Sequence, residues 1–168
     1  IQTIRNYYVF GDDIDNDGLI ELPSLVPMEE SSPGGRELIR WYNLTPVGEE
    51  MEKMFTFHNY ADRWYVRIQE DWVKTVSVTR GGDVEGVQGY VFSAGEGREN
   101  RVLFTIYAFT GDDREELAVA DGRFLLAKTD EVVYAAALGS GSIGRQLDQK
   151  ALIADFHFIR EDWKTGEM

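Results

Sequence analysis

Short runs of β-branched and aromatic residues dominate the second half of the chain, and this pattern constrains the fold more than any other feature. Such runs form strands, because these side chains pack well on a pleated surface. Glycine and aspartate turns between the runs favour antiparallel hairpins over crossovers. The pattern predicts strands at residues 73–80, 89–93, 101–110 and 130–138, with a further hairpin turn at Asp121-Gly122.

The first half carries the same pattern with more interruptions. We predict strands at residues 6–10 and 37–43, and a hairpin whose arms are residues 51–59 and 63–69. Residues 20–22 are predicted to resume a strand that Pro23 ends, because proline cannot donate to a strand ladder. The proline, glycine and serine residues that follow predict a loop over 24–35.

One long segment near the C-terminus has helical spacing. Leu152, Phe156, Ile159 and Trp163 fall on one face of a helix, because they are spaced by four, three and four residues. The sequence therefore predicts an α+β fold, a mainly antiparallel meander covered by this one helix, with an N-terminal β segment. We expect units at 1–60 and 61–168, or one continuous domain.

Composition limits the chemistry and the partners. The 168 residues include no cysteine, which removes disulfides, thiol nucleophiles and thiolate metal sites. The formal net charge of −13 disfavours nucleic acid and anionic lipid surfaces as partners. No apolar run approaches the length of a transmembrane segment. The chain begins at Ile1 without a signal segment, from which we expect a processed or trimmed piece of a longer protein.

The N-terminal stretch GDDIDNDGLIELP has the spacing of a calcium loop. Calcium binds six to eight oxygen atoms, and alternate side chains in a tight coil converge on one point. Counted from Asp13, the side chains of Asp13, Asp15 and Asp17 take positions one, three and five. Leu19 supplies a backbone carbonyl at position seven, and Glu21 supplies a carboxylate at position nine. These five residues are the predicted Ca²⁺ ligands.

Two other interpretations of this stretch are an EF-hand and a solvated acidic turn. An EF-hand needs a bidentate glutamate at position twelve, where this chain has Ser24, so that class of site is rejected. The stretch could also be a solvated acidic turn, with the carboxylates splayed apart. Carboxylates held about 6 Å apart repel by about 3 kcal/mol at an effective dielectric near 20. A converged loop would therefore require a cation, while a splayed turn would not.

The pattern D-x-D-x-D-G-x-x-E between two strand-like segments resembles the calcium loops of FG-GAP and VCBS repeats. The resemblance covers roughly the first 45 residues, and it implies a calcium-stabilised segment of the kind found in exported proteins. The stretch from Arg63 onward is similar to the C-terminal part of uncharacterised exported lipoproteins of Gram-positive bacteria. That resemblance implies a location outside the cytoplasm, secreted or lipid-anchored, and no particular reaction.

A glycine motif, two histidines and a group of aromatic residues each have a structural explanation. GSGSIG at residues 139–144 matches a dinucleotide-binding loop but lacks a following parallel strand, so we interpret it as a turn. His157 is predicted to lie half-buried in the C-terminal helix, and His58 to end a strand. A group of aromatic residues could line a sugar-binding face but is interpreted as core: Trp41, Tyr42, Trp64 and Tyr65.

These observations leave three functional hypotheses. The first is an extracytoplasmic, non-enzymatic binding or structural domain with one structural calcium ion and a protein or carbohydrate partner at a cell surface. The second is a hydrolase that uses paired carboxylates, which 30 acidic residues could supply in many ways. The third is an inhibitor or partner-binding sheet, which an exposed apolar patch would support.

Overall fold

The computed structural model describes residues 19, 21–27, 37–59, 62–81, 85–95, 97–142 and 147–158. These residues form two five-stranded sheets and two short helices. The strands in chain order are β1 Leu22–Pro27, β2 Glu37–Leu44, β3 Glu50–Asn59, β4 Trp64–Ile68, β5 Ser77–Gly81, β6 Val87–Ala94, β7 Arg101–Phe109, β8 Phe124–Lys128, β9 Val133–Leu138 and β10 Phe156–Phe158. The helices are α1 Arg114–Ala118 and α2 Gln149–Asp155.

The chain divides into two compact units. The first contains β1 to β4, and the second contains β5 to β9 with both helices. The first sheet has the strand order β1-β2-β3-β4-β10, and the second has the order β5-β6-β7-β9-β8. The strand pairs whose registers are defined are all antiparallel, which confirms a mainly antiparallel fold.

The hairpins of the first sheet follow from their turn residues. The β2–β3 turn is closed by a hydrogen bond from the Gly48 N–H to the Thr45 carbonyl at 2.9 Å, and Gly48 has φ +84°. In the β3–β4 hairpin the Asp62 N–H donates to Asn59 Oδ1 at 3.1 Å. Arg63 follows in the left-handed region, with φ +63°. The predicted hairpin of residues 51–59 and 63–69 is confirmed.

The second sheet is built on an aromatic core. Phe92 and Phe104 stack with ring centroids 4.6 Å apart, and Trp72 meets Phe104 edge-on at 5.9 Å. All three side chains are buried. The predicted strands at 89–93, 101–110 and 130–138 correspond to β6, β7 and β9. The strand predicted over 73–80 is shorter, because β5 begins only at Ser77.

The second sheet departs from a simple meander. β7 pairs with β9, and β8 lies outside β9 at the end of the sheet. The predicted hairpin at Asp121-Gly122 has one strand only, since α1 precedes this turn and β8 follows it. The positive φ expected at the turn is present, +54° at Asp121 and +79° at Gly122. Residues 114–118 are arginine, glutamate, leucine and alanine, which are strong helix formers.

The single C-terminal helix is not confirmed. α2 begins where Asp148 Oδ1 accepts a hydrogen bond from the Ala151 N–H at 2.8 Å, and it ends at Asp155. Phe156 has extended backbone and packs on Tyr134 at 5.6 Å. Residues 156–158 are strand β10, because their aromatic side chains suit a sheet and pairing beside β4 overrides the helical spacing. Ile159 and Trp163 lie outside the described residues.

Two proline residues also lie where the sequence predicts no strand. β1 includes both Pro23 and Pro27, so Pro23 does not end the strand and the predicted loop begins too early. The explanation is the position of β1 at the end of its sheet, where, among the described strands, it is paired with β2 alone. Proline is tolerated on such edge strands because its missing N–H can face away from the ladder.

Candidate metal centre

The candidate calcium loop meets the first sheet at Glu21. This side chain is fully buried, and its Oε1 accepts a hydrogen bond from Asn43 Nδ2 at 2.9 Å. The β1–β2 register pairs Leu22 with Tyr42, which brings Glu21 level with Asn43. A buried carboxylate is strongly unfavourable unless it is hydrogen-bonded or paired with a cation. Asn43 supplies one such bond and fixes the direction in which the carboxylate points.

The remaining predicted ligands divide between described and undescribed residues. The Leu19 side chain is 55% exposed, and its predicted contribution is the backbone carbonyl alone. Asp13, Asp15 and Asp17 lie outside the described residues. Within the described ranges, no group of three or more histidine, aspartate or glutamate side chains is arranged to hold a metal ion.

The chemistry of Glu21 fits a calcium ligand. Calcium is a hard cation that prefers carboxylate and carbonyl oxygens. Ligating carboxylates are commonly held by hydrogen bonds from neighbouring residues, which orient them toward the ion. Asn43 donates a hydrogen bond of this kind to Glu21. The sequence offered no indication of this pairing, because the two residues are separated by 22 positions and meet only through the β1–β2 register.

A chain of buried polar groups lies on the neighbouring strands β2 and β3. Trp41 Nε1 donates to Thr56 Oγ1 at 2.8 Å, and the same hydroxyl lies 3.1 Å from His58 Nδ1. All three side chains are buried. Burial lowers the pKa of His58 from 6.5 to about 3, because a charged imidazolium is poorly solvated away from water. His58 is therefore a neutral, hydrogen-bonded core residue at neutral pH.

Aromatic rings continue this chain across β4. The Tyr65 ring stacks on His58, with centroids 4.8 Å apart and planes 9° apart, and it stacks on His157 at 5.2 Å. His157 lies exposed on β10 and not in a helix, contrary to expectation. The predicted core role of the aromatic group fits Trp41, Trp64 and Tyr65, which are buried. Tyr42 is half-buried beneath the Arg40 guanidinium, which lies 4.8 Å from its ring centre.

The GSGSIG motif has a packing explanation in its described part, residues 139–142. A Cβ atom at Gly139 would overlap the Val102 carbonyl oxygen, and one at Gly141 would lie 2.8 Å from the same atom. The Gly139 N–H donates to the Leu103 carbonyl at 2.9 Å, and Ser142 Oγ donates to Gly139 O at 2.7 Å. These glycines let the chain pass close to the start of β7, which supports the interpretation as a turn.

Comparison with known proteins identifies no relative. No family model, no curated protein and no solved structure matches this chain. Among the described residues, no helix is long and apolar enough to cross a membrane.

Proposed function

We propose that this chain is an extracytoplasmic, non-enzymatic binding or structural domain stabilised by one calcium ion. The ligands are the carboxylates of Asp13, Asp15, Asp17 and Glu21 together with the backbone carbonyl of Leu19. The observation that carries the proposal is the environment of Glu21. A carboxylate at the last ligand position of the loop is fully buried and is oriented by Asn43.

The two alternatives for the acidic stretch differ in what they require of Glu21. In a solvated turn the carboxylates are splayed into water, where they repel one another weakly. Glu21 instead lies at 0% exposure at the edge of a sheet. A buried carboxylate is retained where a cation or several hydrogen bonds compensate for its lost hydration. A calcium ion bound by the loop would be such a cation, because Glu21 is the last ligand in the predicted spacing.

Calcium in this position would have a structural role. It would join the loop to β1 through Glu21 and to β2 through Asn43, so that its binding energy stabilises the first sheet. Extracellular calcium modules bind with dissociation constants of about 10⁻⁴–10⁻³ M. Such a site is filled outside cells and empty inside them. The extracytoplasmic location rests on the resemblance of the loop to those of exported proteins, and an affinity in this range would accompany it.

The binding partner is proposed to be a protein or carbohydrate at a cell surface. The net charge of −13 opposes binding to nucleic acid. The hydrolase alternative requires two facing carboxylates in a cleft. Glu52 and Glu70 line one small pocket of the first unit, and Glu52 is paired with Arg40 at 2.8 Å.

The test is thermal unfolding in excess EDTA and in 5 mM calcium, with magnesium as the control ion. For a dissociation constant near 10⁻⁴ M, the free energy of unfolding rises by about 2 kcal/mol. This corresponds to an increase in Tm of about 4–8 °C for a chain of this size. Magnesium should give a much smaller increase, because it demands a smaller, octahedral site.

Variants of the loop test the assignment of the ligands. Asp15→Ala and Asp17→Ala should abolish the calcium-dependent increase in Tm and the binding heat in calorimetric titration. The matched control is Asp112→Ala, which removes an exposed acid from a second glycine-led acidic turn, Gly111-Asp112-Asp113. If Asp15→Ala and Asp17→Ala respond to calcium as the parent does, the metal assignment is wrong.

A further inference from the structure

Three exposed apolar side chains belong to neighbouring elements of the second unit. Leu117 is 41% exposed at the end of α1, Val119 is 58% exposed just after it, and Leu125 is 43% exposed on β8. Single exposed apolar residues are common on protein surfaces, whereas a larger apolar patch marks an interaction site. We name Leu117, Val119 and Leu125 the β8 shelf.

The register of the second sheet places Leu125 on the face that carries α1. Leu125 pairs with Ala135 of β9, and paired residues point to the same side of a sheet. Ala135 is buried in a cluster with Ala118 of α1. Leu125 therefore faces the side of the sheet that α1 covers. Arg123 Nε reaches the Leu117 carbonyl at 3.0 Å, which ties the end of α1 to the start of β8.

Aromatic and cationic side chains form the floor beside the shelf. The Arg123 guanidinium lies over the rings of Tyr107 and Phe109, 5.3 and 5.0 Å from their centres. The two rings stack on each other at 5.8 Å. Lys128 joins β8 to α1 through Glu115 at 3.4 Å. These contacts join α1, β7 and β8 beside the shelf.

The shelf is surrounded by negative charge. Residues 112–131 contain seven acidic and three basic residues, a net charge of −4, and all seven acids are exposed. All three basic side chains bind groups within the protein. Arg123 and Lys128 make the contacts given above. The Arg114 guanidinium donates hydrogen bonds to the carbonyls of Gly111 at 2.7 Å and Asp130 at 3.0 Å. The surface therefore offers apolar contacts inside an acidic rim.

β8 is also an edge strand among the described residues, and α2 lies beside it. It is the last strand of its sheet and is paired with β9 on one side, so that its other side has no strand partner in the described structure. Edge strands are templates for the addition of a further strand. The ladder with β9 is irregular between Leu125 and Ala127, which limits the regular part of the edge to its first residues.

We propose that β8 and its shelf bind an extended segment of a partner protein in which apolar residues are flanked by lysine or arginine. The segment adds as a strand beside β8, its apolar side chains cover Leu117, Val119 and Leu125, and its cations meet the acidic rim. A second copy of this chain and an anionic bilayer are disfavoured, since both bring negative charge to a negative surface.

The test uses the peptide acetyl-Lys-Lys-Val-Thr-Leu-Lys-Lys-amide and the isotope-labelled protein, with backbone amide shifts followed by NMR. Saturable shifts should be confined to residues near 117–126. Leu125→Ser and Val119→Ser should each weaken binding by at least about fivefold, because each removes a covered apolar side chain. The matched control is Val47→Ser, a valine 80% exposed in the β2–β3 turn, which should bind as the parent does.

Two modified peptides test the charge and the strand pairing separately. A peptide with glutamate in place of every lysine should not bind, because the rim repels it. Alternate N–H groups of a strand face the same neighbour. One modified peptide is therefore N-methylated at Val and Leu, and the other at Thr. One of these two peptides should not bind, because its methyl groups replace the N–H groups that face β8. The proposal is overturned if the parent peptide does not bind, if both N-methylated peptides bind normally, or if Val47→Ser weakens binding equally. It is also overturned if sedimentation shows self-association through the shelf.

Discussion

Lowering the pH should destabilise this protein through His58, in addition to any effect of its carboxylates. The unfolded chain binds a proton at this residue with a pKa near 6.5, whereas burial in the folded chain lowers the pKa to about 3. The contribution of His58 to the free energy of unfolding is therefore fully present above pH 6.5, and it decreases as the pH falls from 6.5 toward 3. The decrease is about 1.4 kcal/mol for each pH unit within that window. Between pH 7.5 and pH 5 it amounts to about 2 kcal/mol.

The assay is chemical denaturation at a series of pH values, which gives the free energy of unfolding directly. His58→Gln removes the titrating group, so the parent should lose about 2 kcal/mol more than this variant between pH 7.5 and pH 5. Comparing slopes, and not absolute stabilities, cancels the loss of packing that the substitution causes. The matched control is His157→Gln, which changes the exposed histidine on the other side of Tyr65.

If His58→Gln has the same pH dependence as the parent, the pKa of His58 is the same in the folded and the unfolded chain, and the explanation by burial is wrong. His157→Gln should retain the steep dependence of the parent. If it instead removes that dependence, the linked proton belongs to the exposed ring and not to the one beside Thr56.

Two backbone predictions concern stability. Gly139→Ala should lower the free energy of unfolding by about 2–3 kcal/mol in denaturant titration, because the new methyl group overlaps the Val102 carbonyl. Gly81→Ala, where no atom lies within 4 Å of the added Cβ, should change it by less than about 0.5 kcal/mol; equal effects would contradict the packing explanation of the glycine motif. Arg63→Gly should raise Tm and add about 0.5–1 kcal/mol, since glycine adopts the φ of +63° without steric penalty. A lower Tm would mean that the arginine side chain stabilises the turn by more than its backbone conformation costs.

The strand pattern was predictable where side-chain periodicity and turn residues agree. The β3–β4 hairpin and strands β6, β7 and β9 follow from β-branched and aromatic runs between turns. The errors lie where the position of a segment in the sheet decides whether it forms a strand. Pro23 is accommodated because β1 is an edge strand, and Phe156 leaves the helical spacing because residues 156–158 pair with the first sheet. Neither fact is visible before the strand order is known.

The calcium loop stays a prediction from local spacing. Spacing along 13 consecutive residues indicates a calcium loop, because its ligands are contributed by one short stretch. The support for Glu21 comes from Asn43, and the environment of His58 comes from Thr56 and Trp41. These contacts depend on strand register, which single-sequence patterns do not specify across a long connection.

The place of β10 beside β4 has a consequence for the order in which this protein assembles. The ribosome delivers the β3–β4 hairpin early, but β10, the neighbour on the other side of β4, follows only after β5 to β9 and α2 have been synthesised. Until then Trp64–Ile68 is an open edge that carries apolar residues, the kind of surface on which nascent chains aggregate. Closing so long a loop is entropically unfavourable, and prior compaction of the intervening chain shortens it. Translation rate and chaperone access in that interval should therefore influence the yield of folded protein.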